Sequence, residues 1–208
     1  MSCFATHIRF ANDLKTKYKI KNLNEYFSGA IYPDSRWLCG IRRSLTHSKK
    51  ILASDFAKTD FKKGWKTHQI CDDIFDIKIK ELLNDYSLVS KNADKEWAML
   101  TSVKFIQDIC DIKYFKLQKY LQYLTYAYNP NGEDIDNVTE YNHHIIKLYK
   151  NKKNPEIQDY CGILKIFGIS KYKVSEIYKT CEKLIQDKKI TERINNLYSD
   201  GLNFFNKI

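Results

Sequence analysis

The chain has 208 residues, 35 Lys and Arg against 25 Asp and Glu, 43% hydrophobic residues, and only seven Gly and three Pro. That length suits one globular domain, and so few turn-forming residues disfavour a many-turned β-sandwich or a disordered linker, which leaves an all-α class. No run approaches the ~20 apolar residues of a membrane span, and Thr6, His7 and Arg9 interrupt the opening stretch where a signal peptide needs an apolar core, so a soluble cytoplasmic protein is expected.

Apolar residues at Phe4, Ile8, Ala11 and Leu14 recur at helical spacing and predict a first helix over about Thr6 to Tyr18. A second helix, Leu23 to about Ile31, should stop at Tyr32-Pro33-Asp34, because the residue before a proline is pushed out of the α region. From Ser35 to Lys50 the chain is basic and irregular and reads as a loop carrying Arg36, Arg42, Arg43 and His47 toward something. Ser54 or Asp55 can cap a long helix whose apolar positions run from Phe56 through Trp65 and Ile70 to Leu83. Trp97 to Ile112 and Tyr114 to Tyr128 read as two core helices, and Asn129-Pro130-Asn131-Gly132 is the strongest turn signal. Further helices are expected at Val138 to Tyr149, Pro155 to Phe167, Lys171 to Gln186 and Thr191 to Phe205. The expectation is a single multi-helix bundle of about eight helices, in which residues 1–83 hold the chemistry and residues 94–208 complete the bundle.

Six cysteines are scattered singly with no C-x-x-C, as in a reduced protein that needs no staples. The formal charge of +10 favours anionic partners: nucleic acid, phosphorylated metabolites or lipid headgroups. Five histidines occur, and His7, His47 and His68 lie in the first third with Asp34 and Asp72 near them. His68 and Asp72 are four apart on a predicted helix, so imidazole and carboxylate share one face and can grip a metal.

The order of these residues resembles the zinc-dependent phospholipase C superfamily, which also holds single-strand nucleases. The segments that carry the likeness are Ala5 to Ala11, Tyr26 to Asp34, Leu45 to Ser48 and Gly64 to Asp72, within about the first 75 residues. The resemblance implies a Zn2+ site of Asp34, His47, His68 and Asp72, with His7 on a second ion that Asp72 bridges. It also implies phosphoester hydrolysis, with Asp34 and Asp72 in the catalytic machinery. The chain departs from the family where the residue six beyond Asp72 is Lys78 instead of a histidine. Glu140, His143 and His144 are candidates to replace missing ligands, and the expectation is one ion, or two. Arg36, Arg42 and Arg43 are placed to clamp a phosphate-containing substrate, since guanidinium forks match phosphate oxygens; Trp37 and Trp65 flank the ligands and fit a core role as well as substrate stacking.

A different class of function is also written in the sequence. Residues 160–178 resemble a DNA-binding helix-turn-helix: Gly168 falls where the turn needs positive φ, Ser170 can cap the next helix, and Lys171, Tyr172, Lys173 and Ser175 would face a nucleic acid groove. The same pattern also serves as a structural αα-hairpin, and a structural or interaction protein with a vestigial metal site is the third alternative.

Overall fold

Two helices, Leu23–Ile31 and Lys171–Gln186, run between the residues read from sequence, and most of the others are shifted at one end or both. The computed structural model describes residues 4–53, 55–150, 152 and 154–207, and among these it holds ten α-helices, four short 3-10 turns and no strand. Two of the ten, Arg36–Cys39 (α3) and Arg43–Thr46 (α4), are single turns inside the stretch expected to be irregular. The all-α class therefore stands, with slightly more helices than the eight expected. No helix among the described residues is long and apolar enough to cross a membrane.

Contacts divide the chain into two compact units, each assembled from segments far apart in sequence. The first comprises Met1–Thr6, Asp72–Tyr114 and Pro155–Ile208; the second comprises His7–Cys71 and Phe115–Asn154. The segment read from sequence as 1–83 thus contributes to both units.

The first helix, Phe4–Leu14 (α1), begins in the first unit and continues from His7 in the second, where it passes into turns that close on Lys19 with φ 50°. The Ile20 amide reaches back to the Lys15 carbonyl and Lys19 to Thr16, a left-handed cap that ends the helix before the expected Tyr18. Helix Leu23–Ile31 (α2) has the bounds read from sequence, its Asn22 side chain accepting from the Asn24 and Glu25 amides. Pro33 then opens a 3-10 turn, Tyr32–Ser35. The long helix Asp60–Asp85 (α5) starts later than expected: Thr59 caps it, its Oγ1 accepting from the Lys62 amide at 3.2 Å, and Ser54 lies outside the described residues. Tyr32, Ile51, Phe61, Trp65 and Val138 form one core cluster here. Helix Ile135–Lys150 (α7) ties back to α2 through Tyr141, whose hydroxyl donates to the Ile31 carbonyl at 3.1 Å.

The predicted helix over Tyr114 to Tyr128 does not form; two 3-10 turns, Leu117–Lys119 and Leu121–Tyr123, stand in its place. Its aromatic residues are drawn out of helical register to cover α2. Tyr120 and Tyr123 both pack on Phe27, with centroids 5.2 and 5.7 Å away, and Ser28 donates to the Tyr123 carbonyl.

In the first unit, helix Ala93–Tyr114 (α6) is buried without interruption from Thr101 to Asp108. Around it pack Ile157–Ile166 (α8), Lys171–Gln186 (α9) and Lys188–Phe205 (α10). Helix α9 has its expected bounds, and Val174, Ile177, Cys181 and Leu184 form its buried stripe. Gly168 has φ 76° between α8 and α9, and Ser170 caps α9, as the helix-turn-helix pattern requires.

Candidate metal centre

Two glycines set the geometry of the site. A Cβ on Gly29 of α2 would lie 2.1 Å from the Phe61 carbonyl oxygen, and one on Gly64 of α5 would lie 2.0 Å from that of Tyr26. The backbones of α2 and α5 therefore touch directly. That contact brings the Ala30 carbonyl oxygen to 2.8 Å from His68 Nδ1. A carbonyl only accepts, so Nδ1 carries the proton and Nε2 presents its lone pair, the tautomer a metal-binding histidine needs.

The other donors arrive from neighbouring turns. Pro33 starts the 3-10 turn that carries Asp34, which is 1% exposed. His47 follows α4, its Nδ1 2.8 Å from Thr46 Oγ1. Thr46 is itself braced, since Trp65 Nε1 donates to its carbonyl at 2.7 Å. Thr46 Oγ1 lies 3.4 Å from the Arg43 carbonyl; with its hydroxyl donated there, it accepts the His47 Nδ1 proton, the tautomer in which His47 too presents Nε2.

The two Nε2 atoms are 3.3 Å apart, and His47 Nε2 is 3.9 Å from Asp34 Oδ1. Donor atoms of Asp34, His47 and His68 all lie within 4.8 Å of one another. Two imidazole nitrogens bound to one tetrahedral zinc at about 2.0–2.1 Å would be separated by roughly 3.3–3.4 Å. The nitrogens thus stand at the spacing zinc imposes, and two lone pairs facing at that distance are stabilised by a cation or a shared proton. His7 lies flat on His68, with ring centroids 3.9 Å apart and planes 9° apart.

Asp72 lies one turn beyond His68 on α5, on the same helix face, and falls in the first unit. Its carboxylate is met by Lys104 of α6 at 3.5 Å. Arg36 opens α3 two residues after Asp34, and its guanidinium lies over the Trp37 ring at 3.9 Å. Arg42 and Arg43 are exposed. Glu140 and His144 do not join the site: they face each other at 3.4 Å on α7, His143 is exposed, and none of the three belongs to a candidate metal group among the described residues. Lys78 pairs with Glu81 at 2.8 Å in the first unit. Trp65 is buried in the core cluster and braces Thr46, whereas Trp37 is half-buried.

Sequence reading missed Gly29, Gly64, Thr46 and Lys104. The glycines had a signal, shared with Gly162 and Gly201: they fall inside predicted helices, where glycine is unfavourable unless a close approach requires it. Lys104 had none, since a lysine in a helix reads as solvated surface.

Charge is unevenly divided. The second unit carries 20 Lys and Arg against nine Asp and Glu, and the first carries 15 against 16. The unit that holds Asp34, His47 and His68 thus accounts for all of the excess positive charge. No family model matches the chain, and no curated protein or solved structure matches it either.

Proposed function

We propose that Asp34, His47 and His68 hold one divalent ion, Zn2+ in the first instance, and that the protein is a metal-dependent phosphoester hydrolase. The observation that carries this reading is the 3.3 Å separation of two histidine nitrogens whose opposite ring nitrogens are both oriented by oxygen acceptors. When bound, such an ion lowers the pKa of a coordinated water toward ~7 and polarises a phosphoryl oxygen. The residues of the chain do the rest. Ala30 and Thr46 fix the two histidine tautomers, and the buried Asp34 carboxylate adds negative charge that favours a cation. Arg36, two residues from Asp34, is the side chain best placed along the chain to meet a phosphate, with Arg42 and Arg43 extending the positive field. The concentration of basic residues in this unit supports an anionic, phosphate-containing substrate.

Nucleic acid binding through residues 160–178 has less support. Lys173 of α9 is engaged by Asp94 at 2.8 Å and lies over the Trp97 ring, and the unit that contains α9 has no excess positive charge.

The test is metal content by inductively coupled plasma mass spectrometry on untagged protein, followed by hydrolysis of bis(p-nitrophenyl) phosphate. One equivalent of zinc or another transition metal is expected, lost in His47→Ala and His68→Ala, with metal-dependent turnover reduced in Arg36→Ala. Protein that neither contains nor takes up zinc, manganese or iron would overturn the reading.

A further inference from the structure

Lys104 is the one lysine among the described residues that is buried, at 8% exposure. Its ammonium is 2.6 Å from Asp76 Oδ1 and 3.5 Å from Asp72 Oδ1. Asp72 and Asp76 are four residues apart on α5, so their carboxylates stack on one helix face, where like charges repel. Asp72 is almost wholly withdrawn from water, with a side chain 8% exposed, which strengthens that repulsion. Two carboxylates in such a place form a cradle for a cation. Here the cation is supplied by the chain itself, on a four-carbon stem rooted in α6.

The neighbouring acids of α6 have other donors. Asp108 accepts from the Thr6 amide at 2.9 Å and the Tyr160 hydroxyl at 2.8 Å, and Asp111 accepts from Thr6 Oγ1 at 2.6 Å. The Lys104 ammonium is directed at α5, where Asp76 and Asp72 meet it.

We propose that the Lys104 ammonium occupies the place of a second metal ion, closes Asp72 to metal coordination, and limits the protein to a single ion. This rests on the metal reading of Asp34, His47 and His68. A lysine ammonium donates hydrogen bonds and has no lone pair to coordinate a metal, and its fixed charge repels a divalent ion that approaches the same carboxylates. Lys104 is a positioning residue, and the consequence concerns stoichiometry: His7, stacked on His68, then serves as packing for that ring and not as the ligand of another ion.

The experiment is zinc content after equilibration with excess ZnCl2 and desalting, in the wild type, Lys104→Arg, Lys104→Gln and Lys104→Gln with Asp76→Asn. One equivalent is expected in the wild type and in Lys104→Arg, two in Lys104→Gln, and one again in the double variant, which lacks half of the cradle. Zinc should also raise the thermal midpoint of Lys104→Gln by more than that of the wild type. If Lys104→Gln folds only in the presence of zinc, its content is measured on that preparation, and two equivalents support the proposal. One equivalent in Lys104→Gln overturns it, as does its failure to fold even with zinc while the double variant folds, since the lysine would then only balance charge. Two equivalents in the wild type would leave the metal reading standing and sink the role of Lys104, whereas none in the wild type would sink both.

Discussion

Gly64→Ala should damage both the fold of the second unit and the proposed metal site, because α2 and α5 meet with no room for a methyl group. The added Cβ would sit 2.0 Å from the Tyr26 carbonyl oxygen and 2.9 Å from the Ala30 nitrogen, where ordinary contact begins near 3.4 Å. The helices must therefore part by about 1.4 Å, and backbone atoms cannot rotate aside as a side chain would. Overpacking of this kind costs about 1–3 kcal/mol, and the backbone-to-backbone contact puts this case near ~3 kcal/mol. For a chain of this size, that corresponds to a fall in thermal midpoint of roughly 6–12 °C. The same displacement stretches the bond between His68 Nδ1 and the Ala30 carbonyl from 2.8 Å to beyond hydrogen-bonding range, so zinc affinity should fall with stability. The assay is a circular dichroism melt together with zinc competition against a chromogenic chelator. Gly162→Ala is the control: nothing lies within 4 Å of its Cβ, it is inside α8, and it should be neutral or stabilising by ~0.5–1 kcal/mol. A Gly64→Ala protein that melts within a degree or two of the wild type with unchanged zinc affinity would refute the close-crossing argument.

Lys19 and Ser87 hold φ values of 50° and 54°, a conformation that suits glycine, so Lys19→Gly and Ser87→Gly should each stabilise by about 1 kcal/mol in urea unfolding. Burial pushes the Asp60 carboxyl upward, but the Lys63 ammonium and the Asn22 and Lys21 amides outweigh it and hold the group below its ordinary value. Its stabilising contribution is therefore present above the unfolded carboxylate range near ~4 and is lost as pH falls through the folded value. The stability difference between wild type and Asp60→Asn should be full at neutral pH and close in acid; a difference independent of pH would refute the assignment. Burial, with the Glu133 and Asp134 carboxylates, raises the Cys39 thiol to about 11 against the opposing Ser35 hydrogen bond. Iodoacetamide at pH 7.5 should therefore alkylate Cys39 roughly 10²-fold more slowly than a free thiol, as peptide mass mapping would show. Tyr32→Phe removes the hydroxyl that donates to Glu133 and accepts from Asn131, and should cost about 1–3 kcal/mol while loosening the 129–134 turn.

Where local chemistry decided an element, its limits were legible. Helix α2 is bounded by Asn22 and Pro33, and α9 by Ser170 and a buried stripe at helical spacing; both run between the residues expected. Residues 114–128 carry equally helical apolar spacing, yet Tyr120 and Tyr123 gain more by packing on Phe27 of a distant segment, a tertiary effect that periodicity does not contain. The site divides in the same way. The order of Asp34, His47 and His68 along the chain raised the metal hypothesis, whereas the oxygen partners of the two histidine Nδ1 atoms are a backbone carbonyl and a threonine hydroxyl, which carry no signature in sequence.

The interleaving of the two units has a consequence for synthesis. The chain passes from one unit to the other after Thr6, Cys71, Tyr114 and Asn154, so no single proteolytic cut releases either as a module. A growing chain has made Asp34, His47 and His68 by Cys71, but the second unit is complete only at Asn154, 83 residues later. At about 5–20 residues per second that interval is roughly 4–17 s. For the first 49 residues of that interval α2, whose residues from Tyr26 to Ile31 are all buried in the finished protein, lacks Tyr120, Tyr123 and Tyr141 to cover it, and Tyr141 arrives only 70 residues after Cys71. The apolar surface beside Asp34, His47 and His68 is thus left uncovered on the ribosome for seconds.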